Sequence, residues 1–173
     1  MKGYINMISI LFVCHGNICR SPMAEFIMKD MVNRAGLAAQ VYIASAATST
    51  EEIWNGVGNP VYPPAKAKLR EHGISCDGKR AVQLIRADYD KYDYLIGMDN
   101  NNIRNMFWLF GGDPEGKVFK LLSFADLERD VADPWYTGDF DTAYADILKG
   151  CEGLLHILLY ESICPRGERP KSE

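Results

Sequence analysis

The chemistry-bearing residues of this chain are Cys14-His15-Gly16-Asn17-Ile18-Cys19-Arg20-Ser21, set between the apolar run Ile8 to Val13 and a segment with helical spacing. A thiol, a guanidinium and a hydroxyl fall within eight residues. A helix N-terminus, a nearby arginine and inward-facing backbone N–H groups all favour a thiolate over a thiol. The same groups bind a phosphate dianion, so the thiolate can attack phosphorus. Gly16 permits a tight turn. Arg20 can hold two equatorial oxygens in a bidentate fork. Ser21 can donate to the Cys14 sulfur, and Asn17 is a candidate brace for a strained loop. The bare C-x5-R spacing recurs by chance. The whole string between strand and helix carries the signal. The competing reading is an ordinary buried thiol closing a strand.

Positioning such a loop takes a strand before it and a helix after it. Residues 6–13 read as a buried strand. Pro22 to Ala35 reads as a helix, with Met23, Phe26, Ile27 and Met31 at helical spacing and Gly36 as a C-cap. Val41–Ser45, Tyr92–Met98 and Val118–Leu122 read as further strands. Helices are expected at Ala65–Glu71, Arg86–Lys91, Asn100–Phe110 and Thr142–Cys164. Thr48–Pro64 and Phe124–Asp139 read as mainly loop. Strands alternating with helices predict an α/β three-layer sandwich, a four-stranded parallel sheet flanked by helices on both faces. Ligands bind beyond the carboxyl ends of such strands, where Cys14 lies.

A length of 173 residues suits one domain, expected over residues 1–164 with a polar C-terminal tail at 165–173. A net charge of -4 argues against a general grip on nucleic acid or on acidic membrane. Cys14, Cys19, Cys76, Cys151 and Cys164 are odd in number and irregular in spacing. They suggest reduced thiols in the cytoplasm and no zinc site. The apolar run after Met7 is too short to span a bilayer and has no cleavage site behind it.

The string Val13 to Glu25 resembles the N-terminal signature of the low-molecular-weight protein tyrosine phosphatases. The resemblance continues in Ser45-Ala46-Ala47-Thr48-Ser49, Gly58-Asn59-Pro60, His72-Gly73-Ile74, Met98-Asp99 with Asn102, and Asp133-Pro134-Trp135-Tyr136. It implies a four-stranded parallel sheet between helices, needing neither metal nor cofactor. The implied reaction is hydrolysis of phosphotyrosine in protein substrates through a cysteinyl-phosphate, at a site that also takes phosphate and other oxyanions. Cys14 would be the nucleophile, Arg20 the oxyanion clamp and Asp133 the general acid. Read alone, Asp133-Pro134 is a common turn opener. The resemblance also implies that Asp99 pairs with Arg20; on its own, Asp99 reads as a helix N-cap. His15, Gly16, Asn17, Ile18, Cys19, Ser21 and Ser45 would form or support the phosphate loop. Glu51, Trp54, Trp135 and Tyr136 would wall the substrate slot. The relatives are mostly monomers or weak dimers.

Several positions depart from the pattern. His15 and Glu51 stand where relatives carry other residues, and His15 either tunes the slot with pH or lies on the surface. Against the family pattern about four extra residues surround Trp54-Asn55-Gly56-Val57, which would return an aromatic to the wall where Glu51 stands. Gly78 falls near a histidine that supports the loop in some relatives. A protein-arginine phosphatase branch carries threonine where Ile18 stands, so isoleucine favours phosphotyrosine. Cys19 is either a resolving thiol for Cys14, as in some relatives, or a packed small residue. Two rival functions remain: an arsenate reductase and a non-catalytic phosphopeptide binder. The reductase needs a relay of three cysteines, and the middle of this chain offers only Cys76.

Overall fold

The computed structural model describes residues 7–163. Strand position 6, Cys164 and the tail 165–173 lie outside the described residues. In chain order the elements are β1 Ile8–Cys14, α1 Arg20–Arg34, β2 Val41–Ala47, β3 Ile53–Trp54, β4 Val57–Gly58, α2 Pro63–Glu71 and α3 Asp88–Lys91. Then follow β5 Tyr94–Gly97, α4 Asn100–Phe110, β6 Val118–Lys120, a 3-10 turn at Leu121–Ala125, α5 Pro134–Thr137 and α6 Phe140–Ile163.

The main sheet has four strands in the order β2-β1-β5-β6, all parallel. Side chains alternate along β1 because a strand has period two. Ile10, Phe12 and Cys14 join the core built with α1, α2 and α6, while Leu11 and Val13 face the other way onto Leu95, Met106 and Phe110. Both faces are covered, giving the expected α/β three-layer sandwich. The chain leaves β1 toward β2 on one side and returns to β5 on the other. The crevice beyond the ends of β1 and β5 is therefore the topological switch point.

Most boundaries move by about two residues, a short helix α5 lies in the stretch read as mainly loop, and three differences have a clear physical reason. α1 begins at Arg20, two residues before Pro22, because the first-turn N–H groups need no carbonyl and Pro22 loses nothing there. The fourth strand stops at Lys120, and Leu121 and Leu122 turn inward, both fully buried, at the start of a 3-10 turn. The stretch read as loop from Thr48 to Pro64 contains the β3–β4 hairpin. Its turn residues Asn55 and Gly56 both have positive φ, 48° and 75°, which is the backbone of a two-residue hairpin turn.

Helix α6 lies directly on the 3-10 turn. A Cβ on Gly153 would stand 2.0 Å from the carbonyl oxygen of Phe124, and one on Gly150 would stand 2.5 Å from Leu121 Cγ. This seating fixes the segment leading to Asp133, whose Val131 N–H also bonds Met98 O at 2.9 Å. Gly153→Ala should lower unfolding free energy by about 1–3 kcal/mol, the usual cost of overpacking, read from urea denaturation. An unchanged midpoint would show that the helix does not bear on the turn.

Candidate active site

The loop from Cys14 to Ser21 closes around the Cys14 sulfur. Ser21 Oγ lies 2.9 Å from Sγ, and the Asn17 N–H donates to Sγ at 3.3 Å. Asn17 is in the left-handed region at φ 57°, a conformation that costs a non-glycine residue free energy. Its buried side chain holds it there. Oδ1 accepts from Val82 N–H at 2.9 Å, and Nδ2 donates to Ser21 Oγ at 2.8 Å and Ser45 Oγ at 2.9 Å. Carbonyls of the loop are taken from outside: Thr48, Ser49 and Tyr62 donate to Cys14, His15 and Ile18. The first-turn N–H groups of α1 have no carbonyl within the helix and are available to an anion.

Arg20 is 2% exposed. Nη1 donates to Asp99 Oδ2 at 2.7 Å and to Val131 O at 2.9 Å, and Nη2 donates to Asp133 Oδ2 at 3.2 Å. Burial works against its charge, but Cys14, Asp133 and Asp99 outweigh that and raise the guanidinium above its ordinary value. Asp99 fills both roles read for it. Its Oδ1 accepts from Asn102 N–H at 2.8 Å as the N-cap of α4, while Oδ2 meets Arg20. Asp133 caps α5 by accepting from Trp135 N–H at 3.1 Å. Pro134 at the first helical position sets that cap.

A cavity of about 110 Å³ opens at Cys14 and is lined by Arg20 and Asp133, with Glu51, Trp135 and Tyr136 of the expected slot. Trp54 is not part of that lining. It rides on β3, 81% exposed, and Glu52 takes the wall instead, bonded to Asn59 Nδ2 at 2.7 Å. The hairpin turn carries Trp54 outward, which the loop reading of this stretch did not foresee. His15 sits on the rim and pairs with Glu51 at 3.0 Å, both side chains at least half exposed. Cys19 is buried against Ile18 and Ala81. Burial, then Cys14 and Asp133, push its thiol up to about 12, so it stays protonated at neutral pH.

Besides Glu52, four residues of the site were missed in the sequence: Tyr62, Glu25, Lys29 and Lys79. Tyr62 packs on Trp135 with ring centroids 4.9 Å apart, and its N–H holds the Ile18 carbonyl. Glu25, almost fully buried, accepts from Ser45 Oγ at 2.6 Å. Lys29 and Lys79 meet Glu25 at 2.5 and 3.3 Å, and Lys79 also donates to Ser45 O at 3.1 Å. Glu25 shares helical spacing with the buried Met28 and Val32, and an acid on an apolar face was the available signal. Lys79 carries no such signal. It follows Gly78, whose φ of 82° disfavours any side chain at the position expected to correspond to a histidine. Among the described residues no group of three His, Cys, Asp or Glu side chains could hold a metal ion.

The family model for low molecular weight phosphotyrosine protein phosphatase matches residues 9–163. The chain belongs to this family. Low molecular weight protein-tyrosine-phosphatase YfkJ of Bacillus subtilis is 42% identical over 152 residues, covering 86% of this chain and 94% of its own. PtpA of Staphylococcus saprophyticus is 36% identical over 157 residues, covering 90% and 97%. The crystal structure of YfkJ superimposes with a TM-score of 0.86 at 40% identity, over 92% of this chain and 99% of its own. SP-PTP of Streptococcus pyogenes does so at 0.79 and 35%, over 92% and 99%. This phosphatase is therefore a phosphoric monoester hydrolase of the cysteinyl-phosphate type.

Two outcomes follow from the geometry. Asp99→Ala should weaken competitive inhibition by inorganic phosphate by about 10–100-fold, since the guanidinium loses its shortest charged bond. Unaltered inhibition would show that Arg20 does not need Asp99. Iodoacetamide at pH 7 should label Cys14 before Cys19, read by peptide mass spectrometry; equal labelling would contradict the protonated, buried state of Cys19.

Proposed function

We propose that this phosphatase hydrolyses phosphotyrosine in proteins by two in-line transfers at Cys14. The thiolate attacks phosphorus, forming the S–P bond as the P–O bond to the aryl group breaks. Arg20 and the loop N–H groups hold the equatorial oxygens. Asp133 gives its proton to the departing phenolate oxygen. Its carboxylate then takes a proton from water, which attacks the cysteinyl-phosphate and frees phosphate and Cys14. The observation that carries this reading is Asp133, fixed by its own cap and by Arg20 on the rim of the cavity that ends at Cys14.

Several features support the aryl ester. The cavity is lined by Cys14 and the buried Arg20 and is walled by Trp135 and Tyr136. Ile18 gives it an apolar side, 8% exposed. One domain over residues 1–164 and a monomer or weak dimer are part of this reading. The four cysteines among the described residues, the nucleophilic Cys14 included, are free and buried, which suits a reducing cytoplasm. No described helix is long and apolar enough to cross a membrane.

The test is phosphate release from phosphotyrosine, phosphoarginine and phosphoserine peptides. Release should occur from phosphotyrosine and vanish in Cys14→Ser. Asp133→Ala should lower kcat by about 10²–10⁴-fold while phosphate still binds. Equal release from phosphoarginine would overturn the substrate assignment, and full activity in Cys14→Ser would overturn the nucleophile.

A further inference from the structure

Tyr62 is tied to both halves of the site, by different atoms. Its backbone serves the phosphate loop. The N–H donates to Ile18 O at 2.9 Å, and the C=O accepts from Lys66 N–H at 3.0 Å as α2 begins. Pro63 follows and keeps Tyr62 extended, at φ -57° and ψ 132°. The base of the ring is therefore fixed relative to Ile18. The ring itself serves the segment that carries Asp133. It packs on Trp135 with centroids 4.9 Å apart and planes at 55°, and on Phe140 at 6.1 Å. Trp135 lines the cavity at Cys14, and Tyr62 does not.

The Asp133 segment needs support from outside itself. α5 has four residues, one turn, and a helix that short does not persist on its own hydrogen bonds. Pro134 is buried, while Trp135 is 54% exposed with its ring set against Tyr62. The Trp135 N–H in turn donates to Asp133 Oδ1 at 3.1 Å, which leaves Oδ2 to meet Arg20 Nη2 at 3.2 Å. A shift of Trp135 moves the donor that orients the carboxyl group.

We propose that Tyr62 is a positioning residue for the proton-transfer step: acting through Trp135, it sets the distance between the Asp133 carboxyl and a phosphoester held over Cys14. This rests on the phosphatase reading, with Asp133 as the acid. Tilted aromatic pairs are favoured at this spacing, so a ring pins Trp135 more narrowly than an aliphatic side chain of similar size. Such placement matters, because a displacement of about 1 Å costs on the order of 100-fold in rate. Loss of the ring leaves the bond to Ile18 O in place, since that bond uses the main chain. The phosphate loop keeps its shape while the acid loses its aim. A residue that only filled space would disturb both halves alike.

The test separates the acid from the phosphate loop. In the full-length protein kcat/KM is measured for phenyl phosphate and for p-nitrophenyl phosphate. Phenoxide needs a proton as it leaves; p-nitrophenoxide, the anion of a stronger acid, needs it far less. Tyr62→Ala should lower kcat/KM for phenyl phosphate by about 10–100-fold and for p-nitrophenyl phosphate much less. Tyr62→Leu, which keeps apolar volume for folding, should do the same. Competitive inhibition by inorganic phosphate should stay at the wild-type level in both. Tyr62→Phe keeps the ring and should restore the wild-type ratio of the two esters. In an Asp133→Ala background, Tyr62→Leu should change that ratio no further, because the group it positions is gone.

Equal losses on the two esters in Tyr62→Leu, or no loss on either, overturn the proposal. Weakened inhibition by phosphate overturns it too, since the ring would then be holding the phosphate loop. A further change of ratio in the Asp133→Ala background also overturns it, because Tyr62 would be acting by another route. Each of these outcomes is read against a wild type that hydrolyses both esters and leaves the phosphatase reading standing. A wild type that hydrolyses neither overturns that reading, and this proposal with it.

Discussion

A guanidinium with 3% of its side chain exposed survives only where anions and carbonyls meet it. Arg20 finds them at the ends of three separate stretches: Asp99 after β5, Val131 in the connection that follows the 3-10 turn, and Asp133 at the start of α5. The first two are also joined by the Val131 N–H bond to Met98 O, and the arginine ties both to Asp133 at the mouth of the phosphate loop. Asp133 is tied to it by a longer bond than Asp99, 3.2 against 2.7 Å. The shorter bond holds the clamp, and the longer one leaves the carboxylate at the cavity rim.

The loop itself is held by a second set of bonds that share no atom with the first. Asn17 is strained in its backbone and fully bonded in its side chain. The strain is local, and the compensation comes from β2, from the stretch before α3 and from α1 through Ser45, Val82 and Glu25. Parallel pairing of β1 with β2 sets Phe12 beside Ser45 and Cys14 beside Ala47. A one-residue slip would turn Ser45 to the other face and break the bond to Asn17. Sheet register and loop shape are thus the same constraint seen from two sides.

The sheet and its flanking helices were legible because apolar runs and helical spacing report burial, and burial is what the sheet imposes. The phosphate loop was legible because thiol, arginine and serine at fixed spacing have few other uses. Asp99 was readable in both its roles, one from local capping rules and one from resemblance. The hairpin was not read, although Asn55-Gly56 between Ile53-Trp54 and Val57 is a turn signal, because the neighbouring glycines and prolines read as loop. Trp54 was assigned to the slot because the extra residues around it could return an aromatic to the wall at Glu51, and a two-residue turn sent it to solvent. Glu25 and Lys79 stayed hidden for a different reason. Their pairing bridges α1 and a loop 54 residues away, a distance set by Lys79 minus Glu25, and no local pattern encodes such a contact.

The arginine's two acidic partners lie 79 and 113 residues further along the chain. During synthesis from the N-terminus, the cysteine, the arginine and the serine emerge together, long before anything can neutralise the guanidinium. An early folded form of β1, β2 and α1 would carry the charge in water, with the loop open. Only when the stretch through Asp133 has left the ribosome can the arginine be buried and the pocket close. Until the stretch through Asp133 has emerged, a nascent chain therefore carries the thiol without the bonds that bury the arginine beside it.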